Sequence, residues 1–201
     1  LFVVGTTGEF YGLTLEEKRE LYRITIDQAK GRVPVYAGTG AITTREAVLL
    51  TRYAEDAGVD AVSVLTPMFV SPSQKELAEH YTAVAASTRL PVLLYNNPPK
   101  TGVNLTAQTV RTLADIPNIV GIKDSSGDFT LSAEYIRLTR GKDFRVLMGR
   151  DTLIYAGLCH GATGSIAACA NVAPRLMADI YDRFIAGDPM NPATNTLTGR
   201  S

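Results

Sequence analysis

The feature that most constrains this 201-residue chain is one alternating pattern that repeats seven times. A short apolar, β-rich run ends in polar residues or glycine, a helical stretch follows, and glycine or proline precedes the next run. We predict strands over residues 1–4, 33–37, 61–65, 92–95, 119–122, 145–148 and 163–168. Runs that stay apolar without alternation, such as 91–95, are typical of parallel strands covered by helices on both faces. The pattern therefore predicts an α/β fold.

The stretches between these runs carry helix start and stop signals. A hydroxyl residue stands three positions before a glutamate in three of them, which predicts capping boxes at Thr14/Glu17, Thr43/Glu46 and Ser73/Glu76. Apolar residues recur at helical spacing after two of these starts: Ala47, Leu50, Ala54 and Ala57, then Leu77, Tyr81, Val84 and Ala85. Glycines stand where we expect helices to end, at Gly31, Gly58, Gly141, Gly161 and Gly187.

Two architectures accept such units, a doubly wound sheet and a (β/α)₈ TIM barrel. A dinucleotide-binding sheet needs G-x-G-x-x-G after its first strand, and residues 5–9 read Gly-Thr-Thr-Gly-Glu instead. Even spacing favours the barrel, which takes roughly 250 residues when complete. We therefore expect a barrel that lacks its first βα unit and the C-terminal helices, with residues 1–187 as the catalytic partial barrel and 188–201 as a tail or loop.

Composition excludes several function classes. Lys and Arg number 20, as do Asp and Glu, and there are no charge runs, so we expect neither nucleic acid nor a membrane surface as a partner. We expect no metal, because the spacing of Cys159 and Cys169 fits no metal or redox motif and neither histidine has ligand-like neighbours. Both cysteines are expected in or near the core. Low cysteine content favours the cytoplasm.

One lysine stands in an unusual place. Lys123 closes the apolar run 119–122 and precedes the turn-like residues 124–127. In a barrel the active site lies at the carboxyl ends of the strands, where this run delivers its lysine. A buried amine is pushed toward its neutral form, and a neutral amine attacks a carbonyl to form a Schiff base. A solvated lysine that merely closes a strand is the alternative.

Other strand ends supply groups suited to a carbonyl substrate. Thr6 and Thr7 are adjacent hydroxyls flanked by glycines, a pattern that suits a carboxylate but also a plain strand-to-helix turn. Tyr95 ends the fourth run and is a candidate proton carrier or, alternatively, an aromatic lid on the core. An iminium between Lys123 and a 2-keto acid would act as an electron sink for loss of a proton from the adjacent carbon.

Taken together, four motifs resemble one known family. These are Gly5-Thr6-Thr7-Gly8-Glu9, Tyr95-Asn96-x-Pro98, Gly121-Ile122-Lys123-Asp124 and Gly164-Ser165-Ile166 followed by Ala170-Asn171-Val172. In order and spacing the chain resembles the N-acetylneuraminate lyase and dihydrodipicolinate synthase family of Schiff-base aldolases, over residues 1 to about 187. The resemblance implies a (β/α)₈ barrel that begins here at the family's second strand. It also implies a homo-oligomer, a dimer or a tetramer.

The resemblance further assigns roles by position. Lys123 matches the Schiff-base lysine, Tyr95 the tyrosine that shuttles protons, and Thr6 the hydroxyl in the proton relay. It implies no cofactor, since the lysine imine carries the chemistry. Thr7 and Gly8 match the residues that hold the carboxylate of pyruvate. Gly149 and Ile166 match residues that line the pyruvate pocket.

Two departures from the synthase pattern bear on the second substrate. Phe69 stands where the synthase has a tyrosine that reaches a neighbouring subunit's relay, and a phenyl ring cannot pass a proton. Lys100 stands where the synthase has an arginine for the second substrate's carboxylate, and lysine offers a point charge rather than a fork. Arg150, at another strand end, is our candidate for binding a distal polar or carboxylate group.

These observations predict a pyruvate-dependent class I aldolase or lyase whose partners are a 2-keto acid and an aldehyde, with 2-keto-3-deoxy sugar acids as the first expectation. 4-Hydroxy-tetrahydrodipicolinate synthase, which condenses pyruvate with aspartate semialdehyde, is the alternative, and a keto-acid dehydratase follows. From other classes, an inactive fragment or binding paralogue stays open. A phosphate-binding barrel has little support from the glycines near Gly149 and Gly164.

Overall fold

The computed structural model describes residues 1–187 and contains seven parallel strands in one sheet, ordered β1 to β7 exactly as they occur along the chain. The strands are β1 (Phe2–Val3), β2 (Tyr36–Gly38), β3 (Ala61–Leu65), β4 (Val92–Asn96), β5 (Ile119–Asp124), β6 (Arg145–Met148) and β7 (Gly164–Ser165). Sequential parallel order with helical crossovers is the topology of a (β/α)₈ barrel, of which the chain contributes seven strands. The predicted fold class is confirmed.

Eight helices connect and follow the strands in the described part of the chain. They are α1 (Leu15–Ala29), α2 (Thr44–Ala57), α3 (Gln74–Ala86), α4 (Pro98–Thr101), α5 (Ala107–Leu113), α6 (Phe129–Leu138), α7 (Ile154–His160) and α8 (Pro174–Ile185). The capping boxes at Thr14/Glu17 and Ser73/Glu76 are formed in both directions. At Thr43 only half forms, because its hydroxyl accepts from the Glu46 amide while the Glu46 side chain does not reach back.

The core lies between the outer face of the sheet and the apolar faces of the helices. The predicted faces of α2 and α3 are buried, apart from the half-buried Ala57. Large tyrosines pack there and satisfy their hydroxyls on backbone carbonyls: Tyr22 donates to Gly38 at 2.6 Å and Tyr81 to Val64 at 3.0 Å. These bonds tie α1 to β2 and α3 to β3, so each helix is held at a fixed height along its strand.

The register of the central strands creates a layer of side chains on the inner face of the sheet. Leu65 pairs with Tyr95, Tyr95 with Lys123 and Lys123 with Leu147. Because side chains alternate between the two faces of a strand, residues at paired positions point the same way. Tyr95 and Lys123 therefore lie side by side at the carboxyl end of the inner face.

Several predictions need correction. The strands at the two ends of the sheet are two residues long, shorter than the predicted runs 1–4 and 163–168, and β2 begins at Tyr36 rather than at residue 33. Proline at position 34 and the turn after Val3 limit pairing there. Both cysteines are exposed, not in the core. Cys159 lies near the end of α7 and Cys169 in a 3₁₀ turn, so neither faces the packed side of a helix.

The predicted tail 188–201 lies outside the described residues. Within residues 1–187, no helix is both long enough and apolar enough to cross a membrane. In the same part of the chain, no three histidine, cysteine or acidic side chains are grouped so that they could hold a metal ion.

Candidate functional site

Lys123 lies buried at the carboxyl end of β5, with 7% of its surface exposed. Its Nζ atom is 4.1 Å from the centre of the Tyr95 ring and 4.9 Å from that of the Phe2 ring. No carboxylate forms an ion pair with it in residues 1–187, so the amine is enclosed by aromatic faces rather than neutralised by an acid. The structure thus rejects the alternative of a solvated lysine.

The Tyr95 hydroxyl lies beside this amine and has two further polar neighbours. Its oxygen is 3.3 Å from the Thr6 hydroxyl, where either group can donate, and it accepts a hydrogen bond from the Asn97 side-chain amide at 3.1 Å. Burial is the largest single influence and raises the pKa of Tyr95. The charge of Lys123 opposes it, and hydrogen bonds with Thr6, Ser125 and Lys123 add to that opposition, so the pKa lies below its ordinary value.

The residues next to Tyr95 and Lys123 in the chain point the other way and lock the two strand ends together. The Asn96 amide donates to Asp124 at 3.1 Å and to the Tyr135 hydroxyl at 3.1 Å. The side-chain oxygen of Asn96 accepts a hydrogen bond from the Leu105 backbone N–H at 3.0 Å. Asn96 is completely buried, so its side chain orders β4, β5 and the segment before α5 around one point.

Asp124 is the acidic member of this cluster and is 1% exposed. Its carboxylate pairs with no cation among residues 1–187, but it accepts from the Ser132 hydroxyl at 2.5 Å and from both the backbone and the hydroxyl of Ser126 at 3.0 Å. A buried carboxylate is tolerated when several donors replace its lost water. These bonds fix the turn that follows Lys123, and so they fix the direction of the lysine itself.

The inner face next to Tyr95 and Thr6 contains a small recess. Thr6 and Tyr95 line it together with Phe2, Val4, Gly5, Phe10, Gly38, Gly40, Ser63 and Leu65. Lys123 is not among the lining residues, although its amine contacts two aromatic rings that are. The wall is mostly apolar and carries the hydroxyls of Thr6, Ser63 and Tyr95, a combination that suits a small molecule with a polar group.

The turn after β1 positions Thr6 but leaves its neighbours outside. Val4 has a φ of 56°, an uncommon value for a β-branched residue, and Gly38 must be glycine because any side chain there would collide with the Val4 carbonyl. Thr7 and Gly8 are exposed, and Thr7 has no side-chain hydrogen bond within residues 1–187. The structure therefore brings Thr6 to Tyr95. It shows no contact of Thr7 or Gly8 with Tyr95 or Lys123.

Gly149 and Ile166 lie on the other side of Lys123. The Gly149 amide donates to the Asp124 carbonyl at 2.7 Å, and any side chain there would overlap the Ser125 hydroxyl. Ile166 follows β7 and donates its amide to the Met148 carbonyl at 3.0 Å. Gly149 follows β6, the neighbour of β5, and leaves room for the Ser125 hydroxyl, whereas Ile166 follows β7, one strand further away. Their place in a pyruvate pocket stays a prediction.

Lys100 and Arg150 are exposed cations at the same end of the sheet. Lys100 lies in α4, which follows β4, and Arg150 precedes a 3₁₀ turn after β6, with its guanidinium against Gly127. Neither belongs to an ion pair among the described residues. They are placed to attract an anionic group, but neither contacts Lys123, Tyr95 or Thr6.

Sequence reasoning missed three residues that the structure brings to the site. Phe2 contributes the second ring over Lys123, Asn97 contacts the Tyr95 hydroxyl, and Asp124 orders the turn after the lysine. The adjacency of Asn97 to Tyr95 and of Asp124 to Lys123 was available as a signal. For Phe2 there was none, because its contact depends on how far β1 is from β5 across the curled sheet.

Comparison with known proteins places these features in a wider context. The model of the dihydrodipicolinate synthetase family matches residues 1–196. A 4-hydroxy-tetrahydrodipicolinate synthase from Mesorhizobium japonicum is 44% identical over 189 residues, which are 94% of this chain and 64% of that protein. The enzyme of the same name from Pseudomonas aeruginosa is 42% identical over 188 residues, with coverages of 94% and 64%.

Comparison with solved structures leads to the same family as comparison of the sequences. YagE from E. coli K12, a prophage protein of the dihydrodipicolinic acid synthase family solved with pyruvate, superposes with a TM-score of 0.91 at 38% identity. The match covers 94% of this chain and 64% of that one. Dihydrodipicolinate synthase from Acinetobacter baumannii, also complexed with pyruvate, has a TM-score of 0.91 at 41% identity, with coverages of 96% and 66%. The chain thus spans about 64% of the length of the curated relatives it matches.

Proposed function

The chain belongs to the dihydrodipicolinate synthetase family, and from this premise we propose that the protein is a lyase that binds pyruvate as a Schiff base on Lys123. The observation that carries the proposal is the buried amine beside the Tyr95 ring, with the Tyr95 hydroxyl in hydrogen-bond contact with Thr6. A nucleophile, a proton carrier and a relay hydroxyl are the groups that imine chemistry requires. The roles of these residues are part of the proposal.

The proposed reaction uses each group in turn. In its neutral form the Lys123 amine adds to the C2 carbonyl of pyruvate, and loss of water gives the imine. The proton needed for that loss of water comes from Tyr95, which leaves a protonated imine beside the Tyr95 phenolate. The phenolate then removes a proton from C3, and the electron pair of that C–H bond moves into the iminium to give an enamine. The enamine carbon attacks an aldehyde, the resulting alkoxide takes a proton, and water releases the product and the free amine. Thr6 links Tyr95 to the recess for these proton transfers.

The second substrate is the finer question. Relatives named 4-hydroxy-tetrahydrodipicolinate synthase support condensation of pyruvate with aspartate semialdehyde better than they support the sugar-acid reaction that we expected first. We therefore place the dihydrodipicolinate-type condensation first. The recess and the lysine serve either reaction, because both pass through the same pyruvate enamine.

A specific observation keeps 2-keto-3-deoxy sugar acids as the second candidate. Phe69 is 91% exposed and has no hydroxyl to donate to a relay, and Lys100 offers no bidentate fork for a carboxylate. Both differ from the synthase pattern at positions that concern the acceptor rather than pyruvate. A change confined to the acceptor side is what a different aldehyde would require.

Arg150 is the residue that we assign to the distal group of the acceptor. It is exposed, lies at a strand end and is free of acidic partners in the described chain, so its guanidinium is available for a carboxylate or hydroxyls. Arg150→Ala should raise KM for the aldehyde much more than KM for pyruvate. Equal effects on the two would contradict the assignment, and Arg140→Ala, at an exposed site after α6, is the control.

A substrate panel tests the proposed function. Pyruvate with aspartate semialdehyde is compared with pyruvate release from 2-keto-3-deoxy sugar acids, at equal protein concentration and with Lys123→Ala as the control. We expect the first pair to give the higher kcat/KM. Higher kcat/KM on the sugar acids would select the second candidate, and no turnover with either would contradict the aldolase assignment.

An inactive binding paralogue would behave differently toward pyruvate. A ligand that binds only the folded state raises the melting temperature, so pyruvate should stabilise the parent protein. In Lys123→Ala this stabilisation should shrink, because the covalent imine is lost. Stabilisation that is equal in the two proteins would mean that pyruvate binds without Schiff-base chemistry and would favour the paralogue.

We also propose that the protein associates with further copies of itself. Phe69 and Val70, after β3, are 91% and 72% exposed, and large apolar side chains in such clusters mark interaction surfaces. Sedimentation of the parent should show a dimer or tetramer, and Phe69→Ser should shift it toward the monomer. A monomeric parent would contradict the proposal.

A further inference from the structure

The Asn97 side chain performs an unusual task for its position in the fold. It occupies the cap position before α4, where an asparagine side chain commonly accepts a hydrogen bond from the backbone of the first helical turn. Here Pro98 and Pro99 follow, which have no backbone N–H to donate, and the N–H of the third residue, Lys100, goes to the Asn97 backbone carbonyl. No capping bond forms, and the amide points instead to the Tyr95 hydroxyl at 3.1 Å.

The backbone of Asn97 is held so that this direction is maintained. Its carbonyl accepts from the backbone amides of Lys100 at 2.9 Å and Thr101 at 3.0 Å, and from the Thr101 hydroxyl at 3.1 Å. The residue is 7% exposed. A buried side chain on an anchored backbone has few alternative rotamers, so its contact with Tyr95 is built into the local fold.

The donors and acceptors available on the two side chains determine which of them donates in the Asn97–Tyr95 hydrogen bond. The amide nitrogen of asparagine can only donate, whereas a phenol has one proton to donate and lone pairs to accept. Asn97 donates into the phenol oxygen. This leaves the Tyr95 proton for one of two hydroxyl neighbours, Thr6 at 3.3 Å and Ser125, and of these two only Thr6 lines the recess. When Tyr95 gives up that proton, the same Asn97 donor stabilises the phenolate.

We propose that Asn97 is a positioning residue for the proton transfer, which directs the Tyr95 hydroxyl proton toward Thr6 and holds the deprotonated oxygen in place. The proposal rests on the proposed function, because it assumes that Tyr95 moves protons. Asn97 stands at the unspecified position of the Tyr95-Asn96-x-Pro98 motif, so its contribution belongs to this chain rather than to the motif.

Two substitutions separate the amide's donor from its shape. Asn97→Val removes the donor and keeps the chain short, and Asn97→Asp keeps the shape but, when ionised, accepts instead of donating. Asn171→Val is the matched control, because its exposed amide donates to the Ala168 carbonyl in a 3₁₀ turn and has no contact with Tyr95. Melting curves establish that each variant folds.

The first readout is exchange of the C3 protons of pyruvate for deuterium across a pH series, measured beside borohydride trapping of the imine. In Asn97→Val we expect exchange to fall about tenfold, the effect of one lost hydrogen bond, and its pH midpoint to rise by about one unit. Trapping should stay within about twofold, since the amine is unchanged. Equal losses in exchange and trapping, or no change in either, would overturn the proposal.

The second readout needs no pyruvate and so separates the two proposals. The ultraviolet titration of each protein minus that of its Tyr95→Phe version gives the ionisation of this one phenol. Loss of the donor should move that titration to higher pH in Asn97→Val and further in Asn97→Asp, while Asn171→Val leaves it in place. An unmoved titration refutes the role of Asn97 even if trapping succeeds, whereas a moved titration in a protein that never traps pyruvate refutes the proposed function alone.

Discussion

The centre and the two ends of the sheet are built differently. Strands β3 to β5 have five or six residues each, and nearly all of those residues are buried. Strands β1 and β7 have two residues each, both half-buried, and α8 beyond β7 has no buried residue at all. The proposed nucleophile, Lys123, and the proposed proton carrier, Tyr95, come from the centre, whereas Thr6 and Ile166 come from the ends.

The difference between centre and ends shows where the fold holds its side chains most firmly. At the centre, the Asn96 and Asp124 cluster lies behind Tyr95 and Lys123, so the reactive groups rest on strands whose own ends are cross-linked by buried hydrogen bonds. At the ends, Thr6 depends on a strained turn and Ile166 on a single backbone bond. We expect substitutions at the centre to abolish chemistry or stability, and those at the ends to tune them.

Tyr95→Phe should have the largest effect. Removing the hydroxyl should lower pyruvate C3 exchange by a factor of about 10² to 10⁴, the usual contribution of a positioned acid–base group. Thr7→Val, at the exposed turn after β1, should change exchange by less than about tenfold, because one lost hydrogen bond is worth no more than that. Nuclear magnetic resonance follows the exchange, and equal losses in the two variants would break the distinction between centre and end.

Asp124→Asn tests the central cluster through stability. The new amide would turn donors toward groups that already donate, so we expect the free energy of unfolding to fall by about 3 kcal/mol. Asp151→Asn is the same change near the end of the sheet, where the carboxylate caps the amides of Ala168 and Cys169. There we expect a loss of about 1 kcal/mol, as for other exposed caps. Urea titration measures both, and a larger loss at Asp151 would contradict the account.

A third effect on stability should appear only at low pH. His80 in α3 is 4% exposed, and burial lowers its pKa from 6.5 to about 4. Between those two pH values the unfolded chain binds a proton at His80 that the folded chain does not, so stability falls as pH falls. The accumulated loss is about 3 kcal/mol at pH 4.

His80→Gln should flatten this part of the stability curve, and His160→Gln, at the exposed end of α7, should not. The measurement is urea unfolding at a series of pH values from 7 to 4. Identical curves for the parent and His80→Gln would show that His80 does not carry the dependence.

The same division explains what could be predicted from the sequence. At the centre, runs such as 92–95 are continuous and apolar, and parallel order follows from the helical signals between them. Lys123 and Tyr95 were therefore predictable as neighbours, since both close central runs and adjacent parallel strands end at the same edge.

The ends were less predictable, because pattern alone does not say how far two strands remain paired. The run 163–168 contains a strand of two residues, and the exposure of Cys159 and Cys169 depends on how α7 and the following turn pack. The contact of Asn97 with Tyr95 also escaped prediction, because an asparagine before a helix is expected to cap that helix and not to bind a tyrosine two residues earlier. Such contacts are set by tertiary geometry and not by periodicity.

The most direct test of the central claim is to trap the imine on its lysine. The protein is incubated with pyruvate, reduced with borohydride, digested, and analysed by mass spectrometry, with the exposed Lys75 and Lys100 as internal controls. The account predicts a pyruvyl-derived modification on the peptide that carries Lys123, and none on that peptide when pyruvate is omitted. An unmodified Lys123 in folded protein, or a modification spread evenly over the exposed lysines, would contradict it.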